Sequence, residues 1–153
     1  MKTLLALMLA IAVMASPAAA DQHGQEASLA KAKELFGRYA ALEHAFDPAV
    51  ADLYADDAVI RNKRTYPTGE VRELTIPAPQ YKQLARATMP LAKARGDVST
   101  YSEVRYAVEG EGVRIRAHRF SELKRYDSPL SLLVKPSPSG SWLIHEELSE
   151  SRP

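Results

Sequence analysis

Residues 46–60 decide the fold and read Phe46-Asp47-Pro48-Ala49-Val50-Ala51-Asp52-Leu53-Tyr54-Ala55-Asp56-Asp57-Ala58-Val59-Ile60. Asp47 can cap the first free amide groups of a helix, and Pro48 suits the first helical position because it has no N–H to leave unpaired. The helix that follows is short and carries Tyr54 on its buried face. After the acidic pair the pattern changes to a strand over 58–60. The stretch therefore joins a helix directly to a sheet.

A longer helix is predicted upstream, over residues 27–46. Apolar side chains recur there at helical spacing, from Leu29 to Phe46, which indicates one face packed on a core. Residues 21–25 precede this helix as a short polar lead-in. The long helix thus comes first in the predicted domain.

The downstream half combines one more helix with strands. The helix is predicted near 81–96, and Pro90 should kink or divide it because a proline ring clashes with the carbonyl one turn earlier. Alternating patterns separated by turn residues predict strands over 71–76, 100–108, 113–124, 129–135 and 142–149. Three helices segregated from a mostly antiparallel sheet define an α+β fold, with one sheet face wrapped around the long N-terminal helix.

Residues 1–20 have the pattern of a cleaved export signal. Lys2 supplies the positive charge, an uncharged apolar run continues to Met14, and a triplet of alanines ends at Ala20. The apolar run is shorter than the roughly 20 residues that a membrane-spanning helix needs. We therefore expect cleavage after Ala20 and a single domain over 21–153. The mature protein is expected to be periplasmic or secreted, with no membrane partner.

Composition excludes several other functions. The chain has 20 basic residues, of which Lys2 belongs to the signal, against 19 acidic ones. This balance offers no concentrated basic surface for nucleic acid. The basic residues within 113–124, such as Arg114 and Arg116, are interpreted as a solvated strand face. There is no Cys, and the four His lack the spacing of metal ligands, so neither a metal nor a cofactor is predicted.

Residues 46–60 resemble a recurrent segment of the nuclear-transport-factor-2-like superfamily, which includes SnoaL-like polyketide cyclases and ketosteroid isomerases. The tail Gly140-Ser141-Trp142-Leu143-Ile144-His145-Glu146-Glu147-Leu148-Ser149 is similar to the last strand of SnoaL-like members. The resemblance implies a cone, formed by a curved sheet and three helices, with a pocket at its open end. It also implies a homodimer that pairs through the sheets.

The resemblance to ketosteroid isomerases also supplies candidate site residues. Their carboxylate base corresponds to Asn62, whose amide cannot abstract a proton. Their oxyanion-binding tyrosine corresponds to Tyr39, although a tyrosine at such a position is more often a core residue with its hydroxyl at the rim. Their second donor, a protonated carboxylic acid, falls near Ser131 or Leu132, where no carboxylate is present. The resemblance therefore argues against steroid isomerisation.

Strand alternation adds three candidates for a ligand pocket. If the apolar residues of 113–124 face the helices, Arg119 also faces inward, where it could bind an anionic group or form an ion pair. Alternation likewise places His145 and Glu147 on one face, with Glu146 opposite. That pair could perform acid–base chemistry at a pocket mouth or lie at a solvated strand end.

The leading hypothesis is an exported protein that binds a small, partly apolar ligand in its cone, with no catalytic residue assigned. One alternative is a SnoaL-like lyase, isomerase or cyclase that uses His145 and Glu147. Another is a dimeric accessory module whose exposed sheet binds a second exported protein. A deep pocket with converging polar groups would favour ligand binding or catalysis, whereas a filled cone and a broad apolar sheet face would favour the accessory module.

Overall fold

The computed structural model describes residues 17–152, with side chains from residue 21. The first helix, α1, spans Pro17–Ala45. The predicted lead-in at 21–25 is therefore wrong, because these residues are helical. Ser28 Oγ donates a hydrogen bond to the Gly24 carbonyl at 3.0 Å within this exposed part of the helix. Extending an existing helix needs no new nucleation, so α1 continues beyond its packed portion even through Gly24. Most of the predicted export signal, residues 1–16, lies outside the described residues.

The segment that follows α1 confirms the predicted cap. A 3₁₀ helix spans Pro48–Leu53, and Asp47 Oδ1 accepts a hydrogen bond from the Ala49 amide at 2.8 Å. Tyr54 is buried, with 1% of its surface exposed, and is the first residue of the next strand. The change from helix to strand therefore comes four residues earlier than Ala58, where the local pattern places it.

The strands form one six-stranded sheet in the order β2-β1-β6-β5-β4-β3. Their bounds are β1 Tyr54–Thr65, β2 Val71–Pro77, β3 Ser99–Glu109, β4 Gly112–Ser121, β5 Tyr126–Pro136 and β6 Trp142–Ser151. Neighbouring strands are antiparallel except β1 and β6, which are parallel. This curved sheet with its segregated helices confirms the predicted α+β class.

The last helix, α2, spans Ala78–Arg95 and ends at Gly96, whose φ of 66° gives a left-handed cap. Pro90 lies inside this helix without dividing it, contrary to one of the expected outcomes. Pro90 is exposed, so the carbonyl that loses its hydrogen bond can be satisfied by water. The helix packs Ala78 and Ala85 against the sheet and the 3₁₀ helix.

The sheet has an inner face toward the helices and an outer face without helices. The inner face carries the apolar core, including Ile60, Ile115 and Leu132. The alternation expected for β4 is observed, because Val113, Ile115 and Ala117 are buried while Arg116 and His118 are exposed. A regular register between β4 and β5 keeps this alternation intact along the whole strand.

Arg114 departs from the predicted solvated strand face. It points outward but is only 8% exposed. Its guanidinium lies 2.8 Å from Glu109 Oε1 and 2.5 Å from Glu146 Oε1. The two carboxylates compensate the positive charge of the Arg114 guanidinium, so the side chain can be buried against the sheet without an unpaired charge.

Candidate ligand-binding site

The inner face changes from apolar to polar toward one end of the sheet. The apolar end carries Val113 and Ile144, which are fully buried. The opposite end, here called the mouth, consists of the polar inward-facing residues Asn62, Arg119, Ser128, Ser149 and Ser151. Most of these are half-buried, so solvent reaches them. The inner face is therefore polar at the mouth and apolar in the interior.

The deepest carboxylate near the mouth is Glu147 on β6, which is 5% exposed. Tyr54 donates a hydrogen bond to Glu147 Oε2, and the Tyr81 hydroxyl lies 3.4 Å from the same oxygen. The two tyrosine rings meet edge to face, with centroids 4.9 Å apart. Glu147 is thus held by tyrosines from β1 and α2, which satisfy a charge that burial would otherwise disfavour.

A second carboxylate lies at the end of α1. Tyr101 on β3 donates a hydrogen bond to Glu43 Oε2. Tyr39 lies one helical turn before Glu43, with its ring 5.8 Å from that of Tyr101. Arg119 lies beside Tyr101 in the sheet register and donates to the Glu150 carbonyl at 3.2 Å. We refer to these groups together as the tyrosine–carboxylate cluster, which comprises Tyr39, Glu43, Tyr54, Tyr81, Tyr101, Arg119 and Glu147.

The electrostatics of the cluster favour hydrogen-bond donation. Burial, reinforced by the charge of Glu43, raises the pKa of the Tyr39 hydroxyl well above its ordinary range. Burial and the charge of Glu147 do the same to the pKa of Tyr54 and of Tyr81. Burial also raises the pKa of Glu43, opposed by the hydrogen bond from Tyr101 and the charge of Arg119. These tyrosines therefore stay protonated and act as donors toward a carbonyl, hydroxyl or carboxylate oxygen.

Asn62 belongs to the mouth and is held in place by two serines. Its Nδ2 donates to Ser149 Oγ at 3.0 Å, and Ser151 Oγ donates to its Oδ1 at 2.8 Å. Both partners lie on β6, the parallel neighbour of β1. The Asn62 amide both donates and accepts hydrogen bonds at the mouth. Because an amide has no useful basicity, it cannot remove a proton there.

His145 and Glu147 do not form the pair that alternation predicts. The β5–β6 register shifts by one residue between Ile144 and Glu146, which makes His145 the extra residue of a β-bulge. Its Nδ1 lies 3.8 Å from Asp57 Oδ1, while Glu147 is bonded to the tyrosines. Its Nε2 is buried with no hydrogen-bond partner among the described residues. The bulge turns Glu147 inward together with Ile144, three positions earlier.

Of the five predicted pocket residues, the structure brings Tyr39, Arg119 and Glu147 into one cluster, with Asn62 at the mouth and His145 apart. Sequence reasoning missed Glu43, Tyr54, Tyr81 and Tyr101 as members of the site. Glu43 lies four residues after Tyr39 and therefore on the same face of α1. The sequence alone could have identified it as a neighbour of Tyr39. Tyr81 and Tyr101 join the cluster only through tertiary packing.

Glu43→Gln should flatten the dependence of stability on pH. The pKa of Glu43 is raised in the folded protein, so its contribution to stability is present below the unfolded value and is lost as pH rises through the folded one. Wild-type stability should therefore fall as pH rises above the ordinary value of 4.5, and the variant should lack that component. Urea unfolding across this range measures it. Glu26→Gln, on the exposed start of α1, is the control, and an unchanged profile in Glu43→Gln would contradict the assignment.

One cavity formed by the described residues lies on the outer face, away from the cluster. Its volume is about 570 Å³, and Arg61, Arg116 and Leu148 are among its lining residues.

Over residues 17–152, neither helix has the length and apolar character required to cross a membrane. Within that same range, no three His, Asp or Glu side chains are grouped as metal ligands would be.

Known proteins with this architecture are found by structure rather than by sequence. Neither a protein-family profile nor a curated protein matches the sequence. An NTF2-like protein with a cystatin-like fold from Novosphingobium aromaticivorans is 17% identical, with a TM-score of 0.62 over 90% of both chains. A proposed dehydratase of the NTF2-like family from Streptomyces avermitilis is 12% identical, with a TM-score of 0.58 over 82% of this chain and 96% of the other.

A third solved structure is a proposed ketosteroid isomerase from Parabacteroides distasonis. It is 14% identical, with a TM-score of 0.54 over 76% of this chain and 82% of the other. The protein therefore has the nuclear-transport-factor-2-like fold, as residues 46–60 and the tail indicate. Many different activities use one fold, so function has to be argued from the site.

Proposed function

We propose that this protein binds a small, partly apolar molecule at the mouth of its cone and is not a steroid isomerase. The observation that carries the proposal is the convergence of Glu43, Glu147 and Arg119 with four tyrosines on the inner face, in an otherwise apolar interior. Convergent polar groups on apolar walls are the usual composition of small-molecule sites.

The cluster also suggests what the ligand must carry. Its tyrosine hydroxyls already donate to carboxylates, so a ligand has to exchange those hydrogen bonds for its own. A hydroxyl or carbonyl group on a flat apolar body meets both requirements, because the oxygen accepts from tyrosine and the body packs on the rings. Tyr39 and Tyr101 supply such rings at the mouth, with Arg119 beside them.

Binding can be tested with a panel of neutral phenols and ketones, including a steroid, followed by calorimetry. Tyr101→Phe removes a hydroxyl that would donate to the ligand and should weaken binding by about two- to tenfold, the net value of one hydrogen bond between neutral groups. Arg95→Gln, on the exposed end of α2, serves as the control. Equal affinity in Tyr101→Phe and wild type for every ligand would contradict a site at the mouth.

The wild-type protein should show no steroid isomerisation above buffer. Proton abstraction next to a carbonyl needs a base, and general-base catalysis contributes about 10²–10⁴-fold. Asn62, between Ser149 and Ser151, has no basicity to offer. Asn62→Asp restores a carboxylate at the corresponding position, and any activity should appear only in that variant. Robust turnover by the unmutated protein would overturn the correspondence of Asn62 with the family's base.

Catalysis by His145 and Glu147 is the less supported alternative. The bulge separates the two side chains, so a lyase or cyclase mechanism would have to use Glu147 with Tyr54 or Tyr81 instead. The accessory-module alternative requires a broad apolar outer face, whereas the outer face carries Arg61, Arg105 and Arg116. The outer face is therefore charged rather than broadly apolar, which argues against the accessory module.

We further propose that the protein is exported and forms homodimers, as the signal pattern and the family resemblance imply. Mass spectrometry of the protein from its native host should find an N-terminus at Asp21 or within a residue or two of it. Light scattering at micromolar concentration should give about twice the mass of one mature chain. An intact Met1 or a strictly monomeric protein would refute the corresponding part of this proposal.

A further inference from the structure

The two carboxylates of the tyrosine–carboxylate cluster are held by neutral groups. Glu147 is 5% exposed and accepts hydrogen bonds from the hydroxyls of Tyr54 and Tyr81. Glu43 is half-buried and accepts one from Tyr101. Within the described part of the chain, neither carboxylate forms an ion pair with a lysine, arginine or histidine. Buried carboxylates are rarely left without a cation, so this arrangement requires an explanation.

The charges within the cluster do not cancel. Arg119 is its one cationic member, and the guanidinium donates to the backbone carbonyl of Glu150 rather than to Glu43 or Glu147. With both carboxylates ionised, two negative charges face one positive charge. A buried group of charges is costly unless it is balanced, so the cluster needs one more positive charge, from a proton or from a bound cation.

Tyr39 lies where the influence of the two carboxylates overlaps. Burial raises the pKa of its hydroxyl, and the charges of Glu43 and Glu147 raise it further. The side chain is 2% exposed, and its hydroxyl is close to Glu43 and Tyr101 without forming a well-aligned hydrogen bond to either. Its ring packs against those of Phe36 and Tyr101, with centroids 5.9 and 5.8 Å away. A cation beside this hydroxyl would therefore contact carboxylates and aromatic rings together.

Granted the proposed function, we infer that the ligand at the mouth carries a protonated amine, which Glu43 and Glu147 neutralise beside Tyr39. Arg119 offsets one carboxylate, so a single positive charge on the ligand balances the cluster. The ammonium group donates up to three hydrogen bonds, and each carboxylate oxygen accepts more than one. The amine therefore adds to the tyrosine–carboxylate bonds without displacing them, and the surrounding rings stabilise its charge through their π faces.

Three compounds that share one phenol body isolate the effect of charge. Tyramine carries an ammonium group, tyrosol has a neutral hydroxyl in its place, and 4-hydroxyphenylacetate has a carboxylate there. The common phenol supplies the oxygen and the flat apolar body that the site at the mouth requires. Calorimetry at neutral pH should show tyramine binding tighter than tyrosol by about tenfold or more, with 4-hydroxyphenylacetate the weakest of the three.

Glutamine variants test the two carboxylates directly. Glu43→Gln and Glu147→Gln each keep an oxygen that accepts from the tyrosines but remove the negative charge. Each should weaken tyramine binding by about tenfold or more, the value of a hydrogen bond to a charged group, and tyrosol binding by about threefold at most. Glu26→Gln, on the exposed start of α1, should bind like wild type. Circular dichroism checks that each variant is folded.

Failure of the amine is distinguishable from failure of the site. Tyrosol binding as tightly as tyramine would overturn the amine and leave a neutral-ligand site, and tightest binding of 4-hydroxyphenylacetate would show that Arg119 selects an anion instead. Equal weakening of tyramine and tyrosol in Glu43→Gln would show that this carboxylate shapes the site without recognising charge. Binding of a neutral ketone but of none of these three compounds would refute the amine alone. If no compound binds at all, the proposed function fails with it.

Discussion

Tyr54→Ala is expected to lower the free energy of unfolding by about 3–5 kcal/mol, as found for large aromatic residues in protein cores. The Tyr54 side chain is 1% exposed, and its ring packs edge to face on Tyr81. Its removal leaves a cavity beside the 3₁₀ helix and takes away the hydroxyl that bonds Glu147. Urea unfolding at 25 °C measures the change.

Tyr54→Phe separates the two contributions. The ring remains and only the hydroxyl is lost, so the expected destabilisation is about 1–3 kcal/mol, the cost of leaving a buried polar group without its partner. A loss below about 1 kcal/mol for Tyr54→Ala would be typical of a surface residue. That result would contradict the packing of β1 against the helices.

Gly112→Ala is expected to destabilise the protein by about 3 kcal/mol, the upper end of the usual range for overpacking. A Cβ at this position would overlap the Val134 carbonyl oxygen and lie 2.7 Å from Lys135 Cγ. The lysine side chain can move aside. The carbonyl belongs to the backbone of β5, so relief requires the β4–β5 ladder to shift.

Gly37→Ala is the matched control for Gly112→Ala. Gly37 lies on the exposed side of α1, and a Cβ there meets no atom within 4 Å. Because alanine favours the helix over glycine, this change should stabilise the protein by about 0.5–1 kcal/mol. Opposite signs for the two substitutions are the expected result, and a neutral Gly112→Ala would show that β4 and β5 are not in this register.

The fold could be predicted where short-range chemistry decides it. The Asp47 cap needs only the side chain and the next two residues, and the inward direction of Arg119 follows from alternation along a regular strand. The start of α1 was missed because helix propagation does not depend on an apolar face. The start of β1 was missed because pairing with β6 fixes Tyr54 as a strand residue, and β6 is distant in sequence.

The candidate site was predictable only in part. Tyr39 and Glu147 are among the predicted pocket residues and both are buried on the inner face. The argument for Glu147 assumed regular alternation, however, and the bulge at His145 removes that regularity. Nothing in the local pattern of β6 marks a bulge, because the extra residue is defined by the partner strand. Tyr101 is 58 residues from Glu43 and reaches it only when β3 packs on α1.

The parallel pairing of β1 with β6 has a consequence for how the chain reaches its native state. Asn62 and Ser149 are hydrogen-bonded across 87 residues of sequence, and Ser151 is bonded to Asn62 across 89. Closing so long a loop has to precede any gain from the contacts that it brings together, which slows folding. The hairpins β3–β4 and β4–β5 can form from neighbouring residues, whereas β1 gains its second neighbour only after β6 is in place. Because β6 also forms a local hairpin with β5, and β1 with β2, the long-range step that completes the mouth is the pairing of β1 with β6.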